Sequence, residues 1–167
     1  MNHHAIVLEM KKLLKNLDGW LDKAKAHATA KSYDVNVLLQ SRLAPDMLPL
    51  SFQIQTACDH AKFAAARTAG KEAPSIPDTE KTVDELRARI ATTIGYLDGF
   101  KASEFEGADA RRVSLPRWEG KSMSASDYCV EYAMPNFFFH LTTAYAILRH
   151  NGVDVGKRDY IGALNMH

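Results

Sequence analysis

The chain has 167 residues, enough for one domain with its own core. Lys and Arg number 21 against 20 Asp and Glu, and a net charge of +1 excludes nucleic-acid or anionic-membrane binding driven by bulk charge. A hydrophobic share of 46% excludes disorder, and two cysteines, Cys58 and Cys129, are too few for a disulfide scaffold and fit a reducing compartment.

No run of about 18 apolar residues is present, so no membrane span is expected. The opening MNHHAIVLEMKKLLKNL has no signal-peptide pattern, and the reading is a cytoplasmic protein. Loops over 70–78 and 107–126 do not demand a boundary, so residues 1–167 read as a single domain.

The first helix is predicted over 4–30, where Ile6, Met10, Leu13, Leu14, Leu17, Leu21, Ala24 and Ala28 form one stripe at helical spacing. A second is predicted from Pro45–Asp46 to Gly70, with Pro49 in its first turn and Leu50, Ile54, Ala57, Ala61, Ala64 and Ala65 facing inward. Its alanines imply close approach to a neighbour, and Gly70 is a natural stop. The third has the clearest start: Thr82-Val83-Asp84-Glu85 is a capping-box pattern, and Val83, Leu86, Ile90, Ile94 and Leu97 follow it to about Phe100 or Lys101. Residues 112–123 alternate apolar and polar before Glu119-Gly120 and read as a short hairpin or ordered loop. The fourth helix, over 126–150, ends at Asn151-Gly152 and carries an internal Pro135, where a kink is expected. Four amphipathic helices of this length predict an all-α four-helix bundle, with the hairpin between helices three and four.

Bundle interiors host metal sites built from facing helices. His140 stands four residues after Asn136, on one face of the fourth helix, and His60 borders the apolar stripe of the second. If those helices are neighbours, His60, Asn136 and His140 converge, and two imidazoles with an amide oxygen can hold a first-row transition ion. The alternative is two interior histidines satisfied by polar neighbours such as Asp59, Tyr132, Thr143 or Tyr145. The same residues would then floor a pocket for a small-molecule ligand, with Phe and Tyr walls.

His150 suits a helix C-terminus, while His3, His4 and His27 read as solvated. Cys58 and Cys129 read as packing residues. Phe137, Phe138 and Phe139 run round the helix, which points to a buried helix or a subunit interface. Arg111, Arg112, Arg117 and Lys121, with Trp118, read as a solvated basic loop, with an anion site as the lesser alternative.

Several stretches are similar to a known family: Arg42-Leu43-Ala44-Pro45-Asp46-Met47, Leu115-Pro116, Pro135-Asn136-Phe137-Phe138-Phe139-His140 with Ala144-Tyr145, Leu148-Arg149-His150-Asn151-Gly152, and Gly156-Lys157-Arg158-Asp159-Tyr160-Ile161-Gly162. They resemble a bacterial domain-of-unknown-function branch of the DinB-like superfamily. The resemblance implies a four-helix bundle that forms a homodimer. It also implies a divalent metal, Zn2+ or Ni2+, on three histidines: one on the second helix and two at i and i+4 on the last. Some such proteins are thiol-dependent transferases. His60 and His140 match two of those ligands, while the third position holds Asn136.

Overall fold

The computed structural model describes residues 1–166. Helix α1 (His3–Ala30) is capped by Asn2, whose side-chain oxygen accepts from the Ala5 amide at 3.0 Å. Its buried face is Val7, Met10, Leu13, Leu14, Leu17, Trp20, Leu21, Ala24 and Ala28, the predicted stripe with Val7 and Trp20 added and Ile6 moved to its edge. His3 was expected in solvent but is 2% exposed. It stands four residues before Val7 and seven before Met10, so it opens the apolar stripe and is carried into the interior with it.

A 3-10 turn (Val35–Gln40) leads to α2 (Leu50–Thr68). The helix begins five residues later than the sequence suggested. Pro49 has an extended ψ of 171° and serves as N-cap, and a proline also disfavours helical geometry in the residue before it, so residues 45–48 stay outside. At the other end Gly70 has φ +71°, and the Lys71 and Gly70 amides return to the carbonyls of Ala66 and Arg67, a Schellman close. Helix α3 (Val83–Asp98) starts in the predicted capping box: Thr82 Oγ1 accepts from the Glu85 amide at 3.1 Å, and Glu85 Oε2 accepts from the Thr82 amide at 3.1 Å.

The hairpin is real but shallow. Strands β1 (Arg112–Val113) and β2 (Met123–Ser124) pair antiparallel, Arg112 opposite Ser124. Between them Pro116–Trp118 makes a 3-10 turn, and Glu119 and Gly120 both take positive φ, as a tight reversal requires. The last long helical run opens with a short α4 (Ala125–Asp127), passes through a π-helical stretch (Tyr128–Ala133), and continues as α5 (Met134–His150). The expected disturbance at Pro135 is thus taken up one turn earlier. The wider π turn accommodates the residue that cannot donate an amide. A short α6 (Lys157–Ile161) folds back on α1, where Tyr160 stacks on Trp20 at 5.5 Å.

Helix α2 occupies the middle, against α5, α3 and α1, and α1 also touches α3 and α5. Ala57, Ala61, Ala64 and Ala65 are at most 1% exposed, which lets the α2 backbone come close to its neighbours. Four long helices therefore share one core. Among the described residues no helix is long and apolar enough to cross a membrane.

Candidate metal and ligand site

Gln53, His60 and Arg67 stand seven residues apart on α2, which puts them on nearly the same face. Helix α5 runs beside α2 and carries His140. The rings of His60 and His140 meet almost parallel, 5.7 Å between centroids and 12° between planes.

A chain of hydrogen bonds orients His140. The Gln53 side-chain amide donates to the Leu48 carbonyl at 2.8 Å, which turns its Oε1 towards His140. His140 Nδ1 lies 2.8 Å from that oxygen. An amide oxygen only accepts, so Nδ1 carries the proton and Nε2 keeps a lone pair. Sequence reading missed Gln53 and weighed Asp59, Tyr132, Thr143 and Tyr145 instead. Asp59 is engaged by Lys62 and Arg89, Thr143 donates to the Phe139 carbonyl, and Tyr145 donates to Val155. The usable signal was the seven-residue step from Gln53 to His60.

His60 is in the opposite condition. Its Nδ1 is buried with no hydrogen-bond partner among the described residues. Burial, reinforced by repulsion from His140 when that ring is protonated and from Arg67, pulls its pKa down to about 4, and burial lowers His140 as well. Both rings are neutral at pH 7 and able to donate lone pairs.

Asn136 is half-buried and turned along its own helix: Nδ2 donates to the Tyr132 carbonyl at 2.7 Å. That carbonyl belongs to the π-helical stretch. Tyr132 itself lies against His60, 5.8 Å between ring centroids. The structure thus brings His60 and His140 face to face, and spends the Asn136 amide nitrogen on the backbone beside them. Among the described residues no cluster of three or more His, Cys, Asp or Glu could hold a metal ion.

A cleft of about 370 Å³ opens on His60, between one face of α2 and the turn at Leu115, Pro116 and Arg117. The basic segment is exposed at Arg112, Arg117 and Lys121, as a solvated loop should be, but its arginines have fixed neighbours. Arg111 donates to the carbonyls of Thr68 and Glu106, Arg112 donates to Ser122, and Arg117 turns into the cleft over the Tyr132 ring at 5.1 Å. Cys58 and Cys129 are buried, and burial raises their thiols to about 12 and about 11, so neither is a nucleophile at neutral pH. Phe137 is fully buried while Phe139 is 56% exposed, so α5 is not buried all round.

Residues 3–161 match the model of a domain of unknown function, DUF1993. The chain belongs to that family. It is also similar to the crystal structure of a DinB family member protein from Shewanella denitrificans, with 48% sequence identity and a TM-score of 0.93 over 96% of this chain and 92% of that one. No curated protein matches the chain. The likeness makes this a DinB-like member of DUF1993, predominantly helical, with one two-stranded sheet among the described residues.

Proposed function

We propose that this DinB-like protein is a four-helix bundle that binds a divalent transition ion, Zn2+ or Ni2+, at His60 and His140 with Asn136 beside them. The observation that carries the reading is the Gln53–His140 hydrogen bond. Metal-ligating histidines usually donate their second N–H to a fixed oxygen, and this one does, opposite a second neutral imidazole with an unpartnered buried nitrogen. An ion bound through His60 Nδ1 would give that atom a partner.

The donor set suits imidazole-preferring metals, with one amide where a third imidazole would bind more strongly. Such an ion, when bound, lowers the pKa of a coordinated thiol or water, the chemistry of the thiol-dependent transferases that the family resemblance suggests. The protein's own part is to keep both rings neutral, to fix the His140 tautomer through Gln53, and to limit water to the side of the cleft.

Elemental analysis of protein purified without chelator, followed by Zn2+ and Ni2+ titration calorimetry, tests this. The expected result is near-stoichiometric binding, abolished in His60→Ala and His140→Ala and strengthened about tenfold or more in Asn136→His. Occupancy below about a tenth of an ion per chain, with no heat on titration, overturns it.

The homodimer reading rests on Phe139, an exposed phenyl ring on the helix that carries His140. Sedimentation at micromolar concentration, with Phe139→Ser as the control, decides it: a wild-type monomer removes that reading.

A further inference from the structure

The cleft beside His60 carries two guanidinium groups that pair with no carboxylate among the described residues. Its α2 wall is Thr56, Asp59, His60, Phe63 and Arg67, and Leu115, Pro116, Arg117 and Tyr132 close the other side. Arg67 and Arg117 form no ion pair among the described residues. Asp59, the one acid lining the cleft among the described residues, is held by Lys62 at 2.9 Å and Arg89 at 3.1 Å, so its charge is already committed.

The Arg67 guanidinium is set in place, and Arg117 lies over an aromatic ring. The Arg67 guanidinium lies 4.3 Å over the Phe63 ring, and its Nη1 donates to the Tyr128 hydroxyl at 2.9 Å. Arg117 is 5.1 Å from the Tyr132 ring centroid. Aromatic faces hold the flat side of a guanidinium and leave its N–H edge for a planar acceptor, the arrangement that recognises carboxylates. Phe63, Tyr132, Leu115 and Pro116 supply apolar wall to the same cleft, and about 370 Å³ is at the small end of ligand pockets.

We propose that the cleft binds a small carboxylate with an apolar or aromatic body, its carboxylate held by Arg67 and Arg117 and its far end beside the His60–His140 pair. This names the ligand class for the site proposed above, but the anion grip itself needs no metal. Thr56, on the same α2 wall, adds a hydroxyl for a polar substituent on the body.

The test uses 3-phenylpropionate and its uncharged twin 3-phenylpropionamide, titrated by two-dimensional NMR into 15N-labelled, chelator-treated protein. The acid is expected to shift the resonances of His60, Phe63, Arg67 and Arg117, and the amide to bind about tenfold more weakly or worse. Arg117→Gln, an exposed position in a turn, should erase that preference and leave the rest of the spectrum unchanged. Arg67→Gln should do the same, and thermal melts of both variants confirm that the fold survives.

Equal binding of acid and amide, an unaffected preference in Arg117→Gln, or no shifts at the cleft overturns the proposal. Arginine-dependent binding of inorganic phosphate without binding of 3-phenylpropionate overturns the carboxylate assignment. Metal titration of the same samples separates the two readings. A chain that prefers the acid but takes up no ion sinks only the metal site, and a chain that takes up the ion but ignores the carboxylate sinks only this one.

Discussion

Asp59 and His60 are consecutive residues of α2 and both border the cleft, yet their side chains engage two differently built regions. On the Asp59 side, Lys62 and Arg89 are 1% and 3% exposed, and every charge is matched. Asp59 accepts from both cations, while Arg89 also meets Asp78 at 2.9 Å and Glu80 at 3.0 Å and donates to the Pro77 carbonyl. On the His60 side, among the described residues, a buried nitrogen has no partner and two guanidinium groups have no carboxylate. Arg89 Nε is buried without a hydrogen-bond partner among the described residues, but the charges around it are paired, so the first region reads as structure: it ties the segment before α3 down onto α2. The second leaves bonding capacity unused, which is what a binding surface requires of its own free form.

The largest expected effect comes from breaking the charge-paired side. Arg89→Met removes the cation that three carboxylates share, and should cost about 3–5 kcal/mol in urea unfolding. A loss under about 1 kcal/mol would mean that the network is solvated and that the contrast drawn above is false.

Acid comes next and acts on the unsatisfied side. His60 titrates at about 4 in the folded chain against about 6.5 unfolded, so between those values the unfolded state takes up the proton first. Stability contributed by the neutral ring is therefore complete above pH 6.5 and is lost as pH falls through about 4, a loss of about 3 kcal/mol. His140, also lowered by burial, works in the same direction. Chelator-treated wild type and His60→Gln should diverge within this window, the variant showing the shallower decline. Parallel pH profiles would mean that the ring is wet.

How much of this was legible depends on the range of the interaction. The capping box at Thr82 and Glu85 is local and reads directly from four residues, and so do the left-handed stops at Gly70 and Gly152. The start of α2 was misjudged because Pro49 suits both the first turn and the cap. Only the chain path from Ser41, whose carbonyl accepts from the Leu50 amide at 2.9 Å, fixes which. The π-helical stretch has no sequence signature beyond Pro135 itself, since an α kink and a π turn both relieve a proline. His3 was misassigned because a polar residue opening a stripe looks like a residue before it. In the candidate site, the imidazoles were found from local spacing along each helix. Gln53 and Arg67 were not, although each stands seven residues from His60 on the same helix face. Arg117 was seen only as part of a basic cluster, because its place over Tyr132 depends on a loop fold that periodicity does not encode.

A subtler substitution asks whether the two regions are joined through α2. Gln53 is 2% exposed and bridges the Leu48 carbonyl to His140. Gln53→Met keeps the volume and removes both bonds, and should cost about 1–2 kcal/mol of stability. It should also weaken Zn2+ or Ni2+ binding about 10–100-fold, because His140 loses the oxygen that fixes its tautomer. A stability loss with unchanged metal affinity would make Gln53 a packing residue and leave the pair of rings oriented by stacking alone.

The smallest effect is the most discriminating. Arg117→Gln should change unfolding free energy by less than about 0.5 kcal/mol, since Arg117 is exposed and pairs with no carboxylate among the described residues. Arg89 and Arg117 are then the two ends of one scale: the same side chain, essential to the fold where its charges are matched and dispensable to it where they are not. If Arg117→Gln destabilised the chain by as much as 2 kcal/mol, its stacking on Tyr132 would be holding the hairpin loop against the π-helical stretch. The unpaired guanidinium would then have a structural reason to be where it is, and its place in the cleft would no longer call for a ligand.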